Sequence, residues 1–249
     1  MQIAPPYGYK EVVPFLKNQK VRLLAPGEVP EFARAANAVP ISHSEFQAAC
    51  RDYPIVFTSA DGKTGFAAVA VTGLASGENL FFAEGRWTPG IYVPAYVRRY
   101  PFCMAKVNLN KVEQKDRLIC VEKSYLAAPS DDAGEALFEA GGAPTQKWKD
   151  LERLLGEYEA DLERTREMGA ILADYGLLEP FTMQATPKAA GAKPMQMTGM
   201  YRVAEPRIEN LNSAQLKNLA RKGILARLYL HLYSLENFGR LLDRKAARR

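Results

Sequence analysis

The chain has 249 residues, 47% of them hydrophobic, and a formal net charge of +5, which is enough apolar material for one large domain or two small ones without covalent staples. Three cysteines, Cys50, Cys103 and Cys120, with no C-x-x-C pair exclude a disulfide framework and fit a reducing compartment. The start MQIAPPYGYKEVVPFLKNQK lacks the apolar core of a signal peptide, and no stretch reaches the roughly 20 apolar residues that span a bilayer. The expectation is a cytoplasmic chain with no membrane span, the alternative being export to the cell surface without an N-terminal signal.

In chain order, AVPISHSEFQAACRDYP (38–54) reads as a short helix capped by Ser44, with Phe46, Ala49 and Cys50 on one face and Pro54 ending it. YPIVFTSADGKTGFAAVAVTG (53–73) holds two β-prone runs around Asp61-Gly62, a hairpin signal. NLFFAEGRW follows as a strand. PFCMAKVNL and DRLICVEK, joined by the polar NKVEQK, read as a second antiparallel pair. The loop APSDDAGEALFEAGGAP precedes a change of period. From Thr145, Trp148, Leu151, Leu154, Leu155, Tyr158, Leu162, Met168, Ile171, Leu172 and Tyr175 repeat at threes and fours for about eight turns, with Gly176 and Pro180 as stops.

TPKAAGAKP (186–194) is a connection and MQMTGMYRVAE (195–205) a strand. Asn212 and Gln215 form a capping-box pattern with Leu211 and Leu216 placed as a staple, and Gly223 ends that helix. The last helix, from about Ile224, aligns Leu225, Leu228, Leu232, Leu235, Phe238 and Leu242, with Gly239 allowing close approach of a neighbour. Nine Lys and Arg against two acidic residues after Leu216 place the positive charge at the C-terminus. DRKAARR reads as a solvated helix end matching the helix dipole, with nucleic-acid or anionic-surface contact as the minority reading. The fold class is α+β. An N-terminal antiparallel β-rich part (1–126) packs with a long amphipathic helix (about 145–175), and C-terminal helices follow. These form a single domain over 1–249, with the loop 127–144, the helical part 145–180, and the strand and helices 195–245.

The catalytic inventory is small. His43, Glu45 and His231 have the residue types of a two-His, one-carboxylate iron or zinc site, but His231 lies among leucines on an apolar helix face, where a histidine is ordinarily buried and hydrogen-bonded. The cysteines fall in apolar surroundings, where thiols pack and do not react. GGAP (141–144) before a helix offers a phosphate position but no lysine-and-hydroxyl motif. No nucleophile elbow, P-loop, dinucleotide fingerprint or H-E-x-x-H occurs, and no cofactor is expected.

RWTPGIYVPAYVRRYPF (86–102) is the remaining feature. Pro94 starts and Pro101 limits a short helix in which Tyr96 lies beside Arg99 and Tyr100 in cation–π geometry. Structurally the arginines complete a helix end. Functionally, Trp87, Tyr92, Tyr96, Arg98, Arg99 and Tyr100 could clamp a carboxylate, a phosphate or an acidic peptide.

AVPISHSEFQAACRDYPIVF, ENLFFAEGRWTPGIYVPAYVRRYPF, RLICVE, GEALF, EYEADLERTRE, LLEPF and LARLYLHLYSLENFGRLL, in this order over about 38–242, resemble the SapC family of bacterial proteins. That resemblance implies a surface-array or peptide-transport setting and carries no catalytic residues. It places Arg98, Arg99, Tyr100 and His231 in what the family shares. The expected function is a non-catalytic accessory protein binding a peptide or protein partner in a surface-layer or nutrient-uptake system. The alternatives are a metal enzyme using His43, Glu45 and His231, and a self-assembling surface-layer protein. Nucleic acid is not an expected partner, and a homo-oligomer stays open.

Overall fold

The computed structural model describes residues 3–109, 112–128, 134–185 and 195–248; the connection 186–194 lies outside them. Antiparallel sheets alternate with helices, an α+β fold. Contacts group the chain into two compact units, 1–33 with 96–160 and 34–95 with 161–249. The chain passes from one unit to the other at three points, the last inside the long helix Gln146–Asp174.

In the first unit, Phe102–Leu109 and Val112–Glu122 pair as expected, and Val12–Pro14 adds a third strand. Lys20–Val21 is the centre of a second small sheet, flanked by Leu126–Ala127 and Glu135–Ala136. The core gathers Val21, Phe102, Val121, Leu137, Trp148 and Leu155. Trp148 packs on Phe15 at 5.2 Å and Phe138 at 5.0 Å between ring centres. Thr145 Oγ1 accepts the N–H of Trp148 and so starts the long helix where its sequence period begins.

The second unit holds a five-stranded sheet in the order Leu178–Ala185, Met195–Val203, Ile55–Thr58, Ala67–Val71, Ala38–Pro40. The hairpin 55–71 turns on Asp61, whose carboxylate accepts N–H bonds from Lys63 and Thr64 at 2.9 and 2.8 Å. Several boundaries differ from the sequence reading. NLFFAEGRW is itself a hairpin, Phe82–Ala83 against Arg86–Trp87, because Glu84 and Gly85 take positive φ. Pro180 does not stop a helix; it sits in an edge strand, where a missing N–H is tolerated.

The C-terminal helix breaks into Ile224–Ser234 and Asn237–Ala247, and a Cβ at Gly239 would meet no other element within 4 Å among the described residues. The basic ending is not merely solvated. Arg248 donates to the carbonyls of Asn79, Leu80 and Phe82, Lys245 pairs with Glu78 at 2.9 Å, and Arg244 covers the Phe81 ring at 4.5 Å. Among the described residues, no helix is long and apolar enough to cross a membrane.

Candidate functional site

The short helix Ala95–Arg98 delivers Arg99 into the first unit, where it is 3% exposed. Its guanidinium lies 4.3 Å from the Tyr96 ring centre, 4.9 Å from Tyr158 and 5.7 Å from Tyr9. Glu159, which is buried, meets Arg99 at 3.4 Å and is shared with Arg117. Burial opposes the charge of Arg99, but the facing tyrosine oxygens outweigh it and its pKa rises. Arg99 is thus a buried cation in an aromatic box with a carboxylate counter-ion. Arg98 is exposed.

That box has a surface edge. Ring contacts run from Tyr7 to Phe32 at 5.8 Å, from Phe32 to Tyr100 at 5.9 Å and from Tyr100 to Tyr125 at 5.0 Å. Tyr7 is 57% exposed and the other three are half-buried. The segment carrying Tyr7 is held firmly. Tyr96 donates its hydroxyl to the Tyr7 carbonyl at 2.6 Å and Tyr9 donates to the Phe102 carbonyl at 2.7 Å. The buried Glu122 carboxylate accepts the N–H groups of Lys10 and Glu11. Gly8, at φ 82, makes room for the stripe, since a Cβ there would lie 2.3 Å from Phe32 Cγ. Gly8→Ala is therefore expected to displace Phe32 and cost about 2–3 kcal/mol in chemical denaturation.

Trp87 and Tyr92 belong to the second unit and serve a different network. Trp87 Nε1–H donates to the Tyr53 hydroxyl at 2.9 Å, and that hydroxyl donates to the Tyr92 carbonyl. Tyr92 donates its N–H to Asp52 and its hydroxyl to Glu45. Of the six residues proposed as one site, Tyr96, Arg99 and Tyr100 are joined through ring contacts with Tyr9, while Trp87 and Tyr92 brace another part of the chain.

The metal reading is corrected by geometry. His231 is fully buried, with Nδ1 2.8 Å from the Ile55 carbonyl and Nε2 accepting the Val203 N–H at 3.1 Å, so neither ring nitrogen is available as a ligand. Glu45 uses one oxygen for Ser42 N–H and Oγ and the other for the Tyr92 hydroxyl and the Ala95 N–H. His43 has its own surroundings: its N–H donates to Thr165 Oγ1, and Arg227 Nε donates to its carbonyl. Among the described residues no group of three or more His, Cys, Asp or Glu is placed to hold a metal ion. Ser42, not Ser44, caps the turn His43–Glu45; Ser44 instead donates its N–H and hydroxyl to Asp161, both at 2.7 Å.

Cys103 and Cys120 face each other across the first unit's hairpin. Both are buried free thiols, pushed up by burial to about 12 and about 11, so they stay protonated and unreactive at neutral pH. Tyr7, Tyr9, Phe32 and Tyr125 escaped the sequence reading because they are scattered along the chain. The only local signal is the pair of tyrosines flanking a glycine in PPYGYK.

The SapC family profile matches residues 18–241, and the chain belongs to the SapC family. No curated protein and no solved structure matches it.

Proposed function

We propose that this SapC-family chain is a non-catalytic accessory protein that binds a peptide or protein partner along the stripe Tyr7, Phe32, Tyr100 and Tyr125. The observation that carries this reading is the unbroken run of exposed or half-buried rings at 5.0–5.9 Å. Tyrosine supplies large contact area at small conformational cost and keeps a hydroxyl for polar pairing, which is why it concentrates in recognition surfaces. The rings are held on their inner side by the Arg99 box, so little ordering is left to occur on binding. Arg98 and Arg99 then have separate roles: Arg99 holds the rings in place from within, and Arg98 is exposed at the surface.

Surface-layer and nutrient-uptake systems, in the cytoplasm or at the cell surface, are where the partner is to be sought. The test is photo-cross-linking in cells with benzoylphenylalanine at Tyr7 or Tyr125, using Tyr233, 76% exposed on helix Ile224–Ser234, as the control. One partner trapped at both stripe positions and not at Tyr233 is expected. Trapping equally at all three positions, trapping at none, or trapping only a second copy of this chain overturns the reading.

A further inference from the structure

A pocket of about 200 Å³ in the second unit is lined by His43, Arg164, Glu167, Lys222 and Ile224. The turn His43–Glu45, the long helix and the junction between Ser213–Arg221 and Ile224–Ser234 supply these residues. Gly223 makes the junction at φ 68 and caps the second helix without a side chain that would cover its end. A Cβ at Gly223 would lie 3.8 Å from His43 Cε1, so the imidazole lies against this junction. Helix Ile224–Ser234 has 11 residues, and its N-terminus carries the partial positive charge of aligned peptide dipoles.

His43 supplies an independent sign of a ligand. The residue is 7% exposed, and its Nε2 has no hydrogen-bond partner among the described residues. A buried ring nitrogen left unmatched is costly, and this one belongs to a ring in the wall of a polar pocket. The charges around it leave a surplus of donors. Lys222 gives one of its three ammonium N–H groups to Glu167 at 2.5 Å and keeps donors for a ligand. Arg164 reaches Asp161 only at 3.4 Å with one nitrogen, and Asp161 is already occupied by Ser44. The remaining guanidinium N–H groups of Arg164, whose side chain is 66% exposed, have the fork geometry that suits an oxyanion.

We propose that this pocket binds a small oxyanion, a carboxylate or phosphate group, between Arg164, Lys222 and the helix end, with His43 Nε2–H as the directional donor. His43 is neutral at pH 7 because burial and the nearby Arg227 lower its pKa, and a bound anion reverses that influence. This site is independent of the partner-binding reading.

The experiment follows the two histidine Hε1 resonances by NMR while inorganic phosphate or acetate is titrated at constant ionic strength with chloride. Phosphate, acetate or both should shift the His43 resonance saturably and raise its pKa, and the arm that saturates identifies the class. His231, with both nitrogens occupied, should not move. Arg164→Gln should weaken the apparent affinity about tenfold, with an unchanged His231 resonance reporting an intact fold. Lys222→Gln provides a second variant at the junction between the two helices. A His43 resonance that saturates with neither anion, or equal affinity in both variants and the native chain, overturns the proposal.

Discussion

Replacing His231 by alanine is expected to destabilise the protein by about 3–5 kcal/mol, measured by chemical denaturation. The substitution leaves the Ile55 carbonyl and the Val203 N–H without their partner inside the sheet and helix packing, and opens a void beside Phe57, whose ring lies 5.1 Å from the imidazole. The same residue sets a pH dependence. Burial pushes its pKa down to about 4 from the ordinary 6.5, so below pH 6.5 the unfolded chain takes up a proton that the folded chain refuses. The stabilisation is fully present above the unfolded pKa and is lost as pH falls from about 6.5 through about 4, reaching ~3 kcal/mol. His43, also lowered by burial and Arg227, adds a slope of the same sign. His231→Ala should therefore flatten the acid limb without abolishing it. An unchanged limb in that variant contradicts the assignment.

The second large effect lies at Glu159. Glu159→Ala leaves the Arg99 charge enclosed by Tyr9, Tyr96 and Tyr158 with no carboxylate among its described contacts, and is expected to cost about 3–5 kcal/mol. Arg99→Ala leaves Glu159 with Arg117, which is partly exposed and able to hydrate, so its cost comes mainly from the lost ring contacts and the cavity. Arg99→Met combined with Glu159→Leu should recover part of the loss, because a buried ion pair replaced by apolar groups of similar volume is often close to neutral. Denaturation midpoints of the three variants decide the matter. A Glu159→Ala chain within about 1 kcal/mol of the native one would show that the pair carries no structural weight.

Local patterns in the sequence located most elements. The long helix, the two hairpins and the Asn212–Gln215 capping box each follow from spacing within a few residues, and each appears where it was expected. Elements whose character depends on distant partners were not legible. Leu178–Ala185 looks like the tail of a helix until Met195–Val203 pairs with it. Ser44 resembles a cap until Asp161, far along the chain, takes its hydroxyl.

The candidate site shows the same division. Tyr96 and Arg99 were paired correctly by helical spacing, but Glu159, Tyr9 and Tyr158 complete the box from other segments, and no periodicity announces them. Proximity in sequence also misled: Trp87 and Tyr92 stand only eleven and six residues before Arg98 yet serve the Tyr53 and Glu45 network. His43, Glu45 and His231 have the residue types of a ligand set, but backbone groups or neighbouring side chains occupy Glu45 and His231.

The central claim is that the outer stripe recognises a partner while the inner arginine box holds the rings in place. Its most direct measurement is the affinity of the partner trapped at Tyr7 for a Tyr7→Ala/Tyr125→Ala chain, beside a Tyr229→Ala/Tyr233→Ala control. Tyr7 is 57% exposed and the control positions 43% and 76%, while Tyr125 is half-buried against the core, so circular dichroism of both variants establishes that the fold is kept before affinity is compared. The account predicts that the stripe variant loses at least about tenfold in affinity, as expected for truncated aromatic anchors, and that the control binds like the native chain. Equal affinity in the stripe variant and the native chain contradicts it.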